Sequence, residues 1–458
     1  MTKYNEIVKY IENEISNSNI KFGQKMPTIR ELSEKFQCSK VTVVRAYSEL
    51  QKNHIVYSIP QSGYYLVEKN NTACEDLNTN IINFSSVAPD ESVLPYQEFQ
   101  HCLNQAIDIY KQSLFNYSDS KGLSNLIKVL TKHFQEYQVF CNTDNIFITT
   151  GSQQAINILC AMPFPNGKNN VLVEQPTYNG ALKSLELNNI SVIGIERNFQ
   201  GLDFDELERK FANGNIKCFY TIPRFHNPLG TSYSNEDKKR ILKLAEKYDV
   251  YIIEDDYIGD LNIKNNSYPI YYHDVSSRVI YVKSFSKILL PGLRVAAVVL
   301  PKILINTFTE YKKWSDLSTP VLSQGALEIY IKSGMFKAHG KKIRNIYSQR
   351  MEALKRSSLS SNIPYIKWHI PDTGFFACIE FTNNVNSAHI ISSIKERNIY
   401  VSDMKKNHLK DYLNDKILKI SISRANVDNI KYGIPIILDE ISKIKSHKKL
   451  IFKNIFDL

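Results

Sequence analysis

Lys287 sits in the run SFSK, with Ser284 and Ser286 before it and Pro291, Gly292 and Arg294 shortly after it. An amine that must attack a carbonyl has to be held in a fixed place, and hydroxyls and a guanidinium beside it can seat an anion. A solvated loop also holds lysine between serines, so this stretch alone decides nothing. Four other stretches offer matching chemistry where an apolar run meets a polar one. TTGSQQAI puts Gly151, Ser152 and Gln153 at the start of a helical pattern, where free amides attract phosphate, although an ordinary strand-to-helix turn reads the same. EQPTY leaves Tyr178 able to lie on a planar ring or to pack as a plain aromatic. PRFHNPLG offers the amide of Asn227 ahead of Pro228 and Gly230, which fix a turn. IIEDDY ends an apolar strand on an acidic pair. Burying Asp255 there is costly unless a cation faces it; otherwise the pair caps the following helix.

The elements that must position these residues follow a regular order. Strand-like runs (NIFITT, NNVLVEQP, KCFYTIP, VYIIEDDY, SRVIYVKSFSK) alternate with helical patterns such as SQQAINILCAM and NEDKKRILKLAEKYD. This alternation predicts an α/β fold, a doubly wound core with a mostly parallel sheet and a smaller C-terminal α+β part. Ligands of such sheets lie beyond the carboxyl ends of the strands, where all five stretches fall.

Residues 1–69 read differently. Tyr4, Ile7, Val8, Tyr10, Ile11 and Ile15 recur at roughly helical spacing. Thr28 and Glu31 form a capping box for a second helix. Ser39 is an N-cap for a third helix, with Val43, Ala46, Tyr47 and Leu50 as its packed stripe. Helix, four-residue turn and helix make a helix-turn-helix, and the two β-rich runs around PQSG add a hairpin wing. The polar stretch KNNTACEDLNTN predicts a linker over 70–80, leaving 81–458 as a second domain.

With 458 residues the chain exceeds one usual core. Its seven cysteines are scattered without metal-ligand or disulfide spacing, which suggests reduced, packed thiols. No apolar run predicts a membrane span or a signal peptide, so a cytoplasmic location is expected. The net charge of +11 suits an anionic partner, yet residues 1–69 hold ten Lys or Arg against seven Glu, so charge alone does not establish nucleic-acid binding.

From MPTIRELSEKF through SKVTVVRAYSELQ to SGYYLV the chain resembles the winged helix-turn-helix of GntR-type bacterial regulators. The resemblance implies double-stranded operator DNA as a partner, with Arg30, Ser39, Lys40, Thr42 and Arg45 as contact candidates and Gly63 shaping the wing tip. The five stretches, in order, resemble the fold-type I aminotransferases that use pyridoxal 5'-phosphate. By that likeness Lys287 would carry the cofactor as a Schiff base, Asp255 would pair with its ring nitrogen, and Asn227 and Tyr257 would hold its phenolic oxygen. Tyr178 would stack on the ring. Gly151, Ser152, Gln153, Ser284, Ser286 and Arg294 would seat the phosphate, and Tyr117 would reach it across a homodimer. Together the halves resemble the MocR family of transcription regulators, in which the aminotransferase-like domain senses an effector. One departure stands out. Where aminotransferases place the arginine that takes the substrate carboxylate, ILKISISR has Lys419, with Arg424 five residues on. Lysine lacks the two-pronged geometry, so the effector is expected to be an amine or amino acid read by these residues, or the cofactor itself. The alternative is a working aminotransferase with an autoregulatory or vestigial DNA-binding domain.

Overall fold

Apolar residues at helical spacing build the first of two units, Met1–Asn80. The computed structural model describes residues 3–17, 25–52, 55–59, 63–66, 81–262, 267–360, 362–382, 385 and 387–456. The expected linker lies outside these, as do residues 60–62 of the wing turn. Helix α1 (Lys3–Ser16) buries Ile7 and Ile11. Helix α2 (Ile29–Lys35) begins in the capping box: the Thr28 hydroxyl accepts from Glu31 N at 3.2 Å and the Glu31 carboxylate from Thr28 N at 2.7 Å. Helix α3 (Lys40–Lys52) buries Val43, Ala46, Tyr47 and Leu50. Strands β1 (Val56–Ile59) and β2 (Gly63–Leu66) pair antiparallel, and Tyr64 stacks on Tyr47 at 4.1 Å, so the wing shares the core of the helices.

The second unit, Ile81–Leu458, opens with β3 (Ile82–Asn83), α4 (Tyr96–Tyr110) and α5 (Ser124–Gln135). The alternating region follows: β4 (Ile146–Thr149), α6 (Gly151–Ala161), β5 (Asn170–Gln175), α7 (Asn179–Leu187), β6 (Val192–Asn198), β7 (Gly201–Leu202), α8 (Phe204–Asn213), β8 (Ile216–Thr221), α9 (Asn235–Lys247), β9 (Tyr251–Asp256), β10 (Val279–Ser284) and β11 (Ala296–Val299). Helices α10 (Ile305–Asp316), α11 (Val321–Lys332) and α12 (Met335–Ser358) lead to the smaller part. That part holds β12 (Ile366–His369), β13 (Phe376–Phe381), α13 (Ser387–Glu396), β14 (Ile399–Tyr400), β15 (Ile417–Ser421) and α14 (Val427–Phe456).

The large sheet runs β4-β11-β10-β9-β8-β5-β6-β7. Strands β10, β9, β8, β5 and β6 are parallel; β11 is antiparallel to both β10 and β4, which returns β4 to their direction. The ends of β4, β5, β8, β9 and β10 therefore meet along one edge. One face packs on α6 and α7 through Ile156, Leu159 and Leu185, and the other on α8 and α9 through Leu207, Phe211 and Ile241. Strands β12, β13 and β15 form a separate antiparallel sheet, while β14 pairs with β3.

Charges buried at the strand ends carry much of the local cost. Strand β9 ends on Glu254, Asp255 and Asp256, all buried. Glu254 accepts from the backbone N–H of Ile270 and Tyr271, each at 2.9 Å. Asp256 takes Arg224 at 2.7 Å and Lys283 at 3.6 Å; burial raises its pKa, but these cations outweigh that and hold it below the usual range. Among the described residues Asp255 receives only the Tyr220 hydroxyl, at 2.7 Å, and burial pushes its pKa up to about 7. The cation expected opposite Asp255 is thus found opposite its neighbour, because successive strand residues face opposite sides. On β5, Glu174 accepts from Arg197 and Thr221 at 2.7 Å, Tyr233 at 2.5 Å and Ile222 N at 3.0 Å, and lies 3.2 Å from His226. This hub holds both ends of the loop 222–233.

Two outcomes follow for stability. Arg197→Met leaves Glu174 buried without its guanidinium and should cost about 3–5 kcal/mol, measured by denaturant unfolding. For Asp255, whose folded pKa lies above its unfolded value, the stability contribution is full below about pH 4 and lost as pH rises through about 7. Melting of the ligand-free protein at pH 5 and pH 8 should therefore show Asp255→Asn gaining on the wild type as pH rises, by on the order of a few kcal/mol.

Candidate cofactor site and DNA-binding face

Lys287 follows β10 on a short turn and is half-buried, with Nζ donating to the Val87 carbonyl at 3.1 Å. Burial lowers its pKa, Arg294 lowers it further, and Asp255 opposes both. The result is an amine closer to its nucleophilic free base than a surface lysine.

Beside it the backbone forms an anion seat. Gly151 opens α6 with φ +74, a left-handed conformation suited to glycine, and an added Cβ would lie 2.5 Å from Arg294 Nη2. The Gln154 side-chain carbonyl accepts from Thr150 N at 2.7 Å, but the Thr150 side chain makes no capping bond, so the first-turn amides of Gly151, Ser152 and Gln153 remain available to an anion. Ser284 Oγ accepts from Ser286 N at 3.3 Å, and the buried Ser286 hydroxyl has no partner among the described residues. Asp255 Oδ1 is also buried without a hydrogen-bond partner among the described residues. An orphaned carboxylate oxygen, an orphaned hydroxyl, a glycine cradle closed by arginine and a depressed lysine together fit a phosphorylated aldehyde with a basic ring nitrogen.

Tyr178, Asn227 and Lys419 line a cavity of about 490 Å³, along with Val87, Ser402 and Asp403. The Asn227 side chain makes no hydrogen bond among the described residues, and neither does Lys419. Lys419 is only 6% exposed, and burial lowers its pKa. Asp403 lines the same cavity and acts to raise the Lys419 pKa, but makes no ion pair with it among the described residues, so the buried ammonium is open to an anionic group.

Several expected residues are placed differently. The Gln153 side chain does not reach an anion: its amide donates to Gly180 O and Ser184 Oγ, both at 2.8 Å, and its carbonyl accepts from the Tyr178 hydroxyl at 3.0 Å. It fixes the tyrosine and leaves only its backbone N–H for the anion seat. The Tyr257 hydroxyl donates to the Phe225 carbonyl at 2.6 Å and so braces the Asn227 loop. Arg424 lies beyond the end of β15, bonded to Glu91 at 2.9 Å and Pro89 O at 3.4 Å, and does not line the cavity with Lys419. Tyr117 is 90% exposed and meets none of these residues within the chain. Tyr220, which orients Asp255, escaped the sequence reading; strand alternation from Asp255 across to β8 would have pointed to it.

On the first unit, Lys40, Val41, Val44 and Arg45 form the exposed side of α3, with Val41 77% exposed. Ser39 caps α3 through Thr42 N at 3.3 Å, and the two hydroxyls lie 3.0 Å apart. Arg30 pairs with Glu34 at 3.1 Å, and Arg45 lies over the Tyr4 ring at 4.7 Å. Gly63 adopts φ +120 at the start of β2.

Comparison with known proteins gives the two halves a context. Residues 79–436 match the aminotransferase class I and II family, and residues 3–66 the gntR family of bacterial regulatory proteins. A Bacillus subtilis protein named uncharacterized HTH-type transcriptional regulator YcxD is 42% identical, over 96% of this chain and 100% of its own length. The uncharacterized aminotransferase SSO0104 of Saccharolobus solfataricus is 30% identical over 79% of this chain and 92% of its own. The crystal structure of Pyrococcus horikoshii kynurenine aminotransferase, solved with PMP, superposes with a TM-score of 0.74 at 26% identity, covering 80% of this chain and 91% of that one. Pyridoxal phosphate is the cofactor for which this site is built; when bound it supplies an electron sink for amine chemistry. The chain belongs to the aminotransferase class I and II family and carries a gntR-family helix-turn-helix at its N-terminal end.

Proposed function

We propose that the protein is a transcription regulator of the MocR type, which binds operator DNA through α3 and the wing and responds to an amine or amino acid presented at the pyridoxal phosphate site. The observation that carries the reading is the intact winged helix, with its charged face exposed, on a chain that retains the cofactor residues but has lysine at the carboxylate position. Val41 supplies an exposed methyl pair beside Lys40 and Arg45, as a helix entering the major groove requires.

Within the cofactor domain Lys287 would hold the cofactor, Asp255 its ring nitrogen and the Gly151 cradle its phosphate. Asn227 and Tyr178 would orient the ring, and Lys419 would take the carboxylate of the effector. The Lys419 ammonium, which lies over the Phe376 ring at 5.3 Å and has no ion pair among the described residues, favours a carboxylate-bearing effector over the cofactor alone. Tyr117 and its neighbour Phe115, both exposed, are aromatic surface that a second copy would cover, which supports a homodimer. The completeness of the cofactor site also supports a second reading, a working aminotransferase. Steady-state transamination with a panel of amino acids separates the two, since turnover at ordinary enzymatic rates would displace the regulator reading.

Lys40→Ala and Arg45→Ala should each weaken binding to the protein's own upstream DNA and lower the salt slope by about one unit, with the cofactor absorption unchanged. Lys419→Ala should weaken the amino-acid response of DNA binding by about ten- to a hundredfold, the loss of a charge-assisted hydrogen bond of roughly 1.5–3 kcal/mol. An unchanged amino-acid response in Lys419→Ala would remove Lys419 from effector binding, and a wild type that responds to pyridoxal phosphate but to no amino acid would point to the cofactor as the signal.

A further inference from the structure

Strand β9 has a second side. Asp255 faces the cofactor residues, while Asp256 and its register partner Lys283 on β10 face away from them. Close to Asp256, where Gly259 passes so near that an added Cβ would lie 2.3 Å from the carboxylate, opens another cavity, of about 930 Å³. Tyr137, Arg224, Gly259, Lys337, Lys341 and Arg344 are among the residues that line it.

The charges around this cavity do not balance. Asp256 is matched by Arg224 and Lys283, Asp260 by Lys283, and Glu136 by Lys337 at 3.3 Å. Lys341 has no hydrogen bond or ion pair among the described residues. Arg344 gives one N–H to the backbone carbonyl of Asp260 at 3.0 Å and meets no carboxylate. Arg224 also lines the cavity; its buried Nε has no hydrogen-bond partner among the described residues, and neither does Asp260 Oδ1. An ammonium and most of a guanidinium on α12 thus border an open cavity whose lining also includes Asp260 and Glu136.

We propose that this cavity is a binding site for a phosphate-bearing small molecule, held by Lys341 and Arg344 and separate from the pyridoxal phosphate site. A phosphoryl group has three peripheral oxygens and up to two charges, which suits this set better than a carboxylate does. The volume exceeds that of a bare ion and leaves room for an organic part. Occupancy is coupled to the cofactor by short covalent paths: Arg224 lies three residues before Asn227, Asp256 follows Asp255, and Lys283 lies four residues before Lys287. A ligand that draws Arg224 toward α12 alters the ion pair behind the cofactor aspartate, so the site is suited to a second effector.

The test uses the full chain loaded with pyridoxal phosphate, so that the anion seat beside Arg294 is already filled. Pyrophosphate, inorganic phosphate and acetate are titrated at matched ionic strength, followed by calorimetry and by the visible absorption of the cofactor. Pyrophosphate should bind saturably and shift the absorption, with acetate inert. Lys341→Gln and Arg344→Gln should each weaken binding by about tenfold or more, whereas Lys419→Ala should leave it unchanged. Lys341 is exposed on α12, so its variant folds irrespective of the partly buried Arg344. Absence of saturable binding, acetate binding as well as pyrophosphate, or full affinity in Lys341→Gln would overturn the proposal.

Discussion

Three consecutive carboxylates at the end of β9 cannot be buried cheaply, and the surrounding structure is arranged around how each is satisfied. Glu254 is held by the start of the segment at Ile270, Asp256 by a guanidinium and an ammonium, and Asp255 by one tyrosine hydroxyl. The middle one is left with an unpaired oxygen and a pKa pushed up to about 7. A cationic ring nitrogen at that oxygen would convert an unfavourable burial into a charge-assisted hydrogen bond, so the defect in the protein is the specification for its cofactor.

The remaining site residues depend on buried frameworks of the same type. Glu174 joins Arg197, Thr221, Tyr233 and the backbone at Ile222, which fixes the loop bearing Asn227. Gln153 joins α6 to α7 and sets the Tyr178 hydroxyl. Arg350 bonds Asp90 and the carbonyls of Ile422 and Ser423, which ties the segment carrying Val87 to the end of β15, the strand of Lys419. Each framework is made of directional hydrogen bonds and ion pairs between buried groups, which is why it positions side chains sharply.

Much of the candidate site was legible in the chain. Glycine before a helical pattern, a tyrosine and an asparagine after apolar runs, an acidic strand end and a lysine between serines lie in order because parallel strands bring their carboxyl ends to one edge. What was not legible is where side chains with several donors spend them. Gln153 and Tyr257 look like ligands by position, yet their polar atoms are used within the protein. Arg424 and Lys419 are both cations near a strand end, and only the end of β15 at Ser421 separates the one that lines the cavity from the one that turns to Glu91.

By itself the sequence determined the order of elements, the helix caps at Thr28 and Ser39 and the buried stripe of α3, because these follow from periodicity and local hydrogen bonding. The tertiary structure alone decided the pairings across the sheet: Asp256 with Arg224 and Lys283, Asp255 with Tyr220, and Lys419 over the Phe376 ring at the edge of a cavity. Those partners lie tens of residues apart, and which of them meet depends on strand register and on the face each residue takes, neither of which is a local property of the chain.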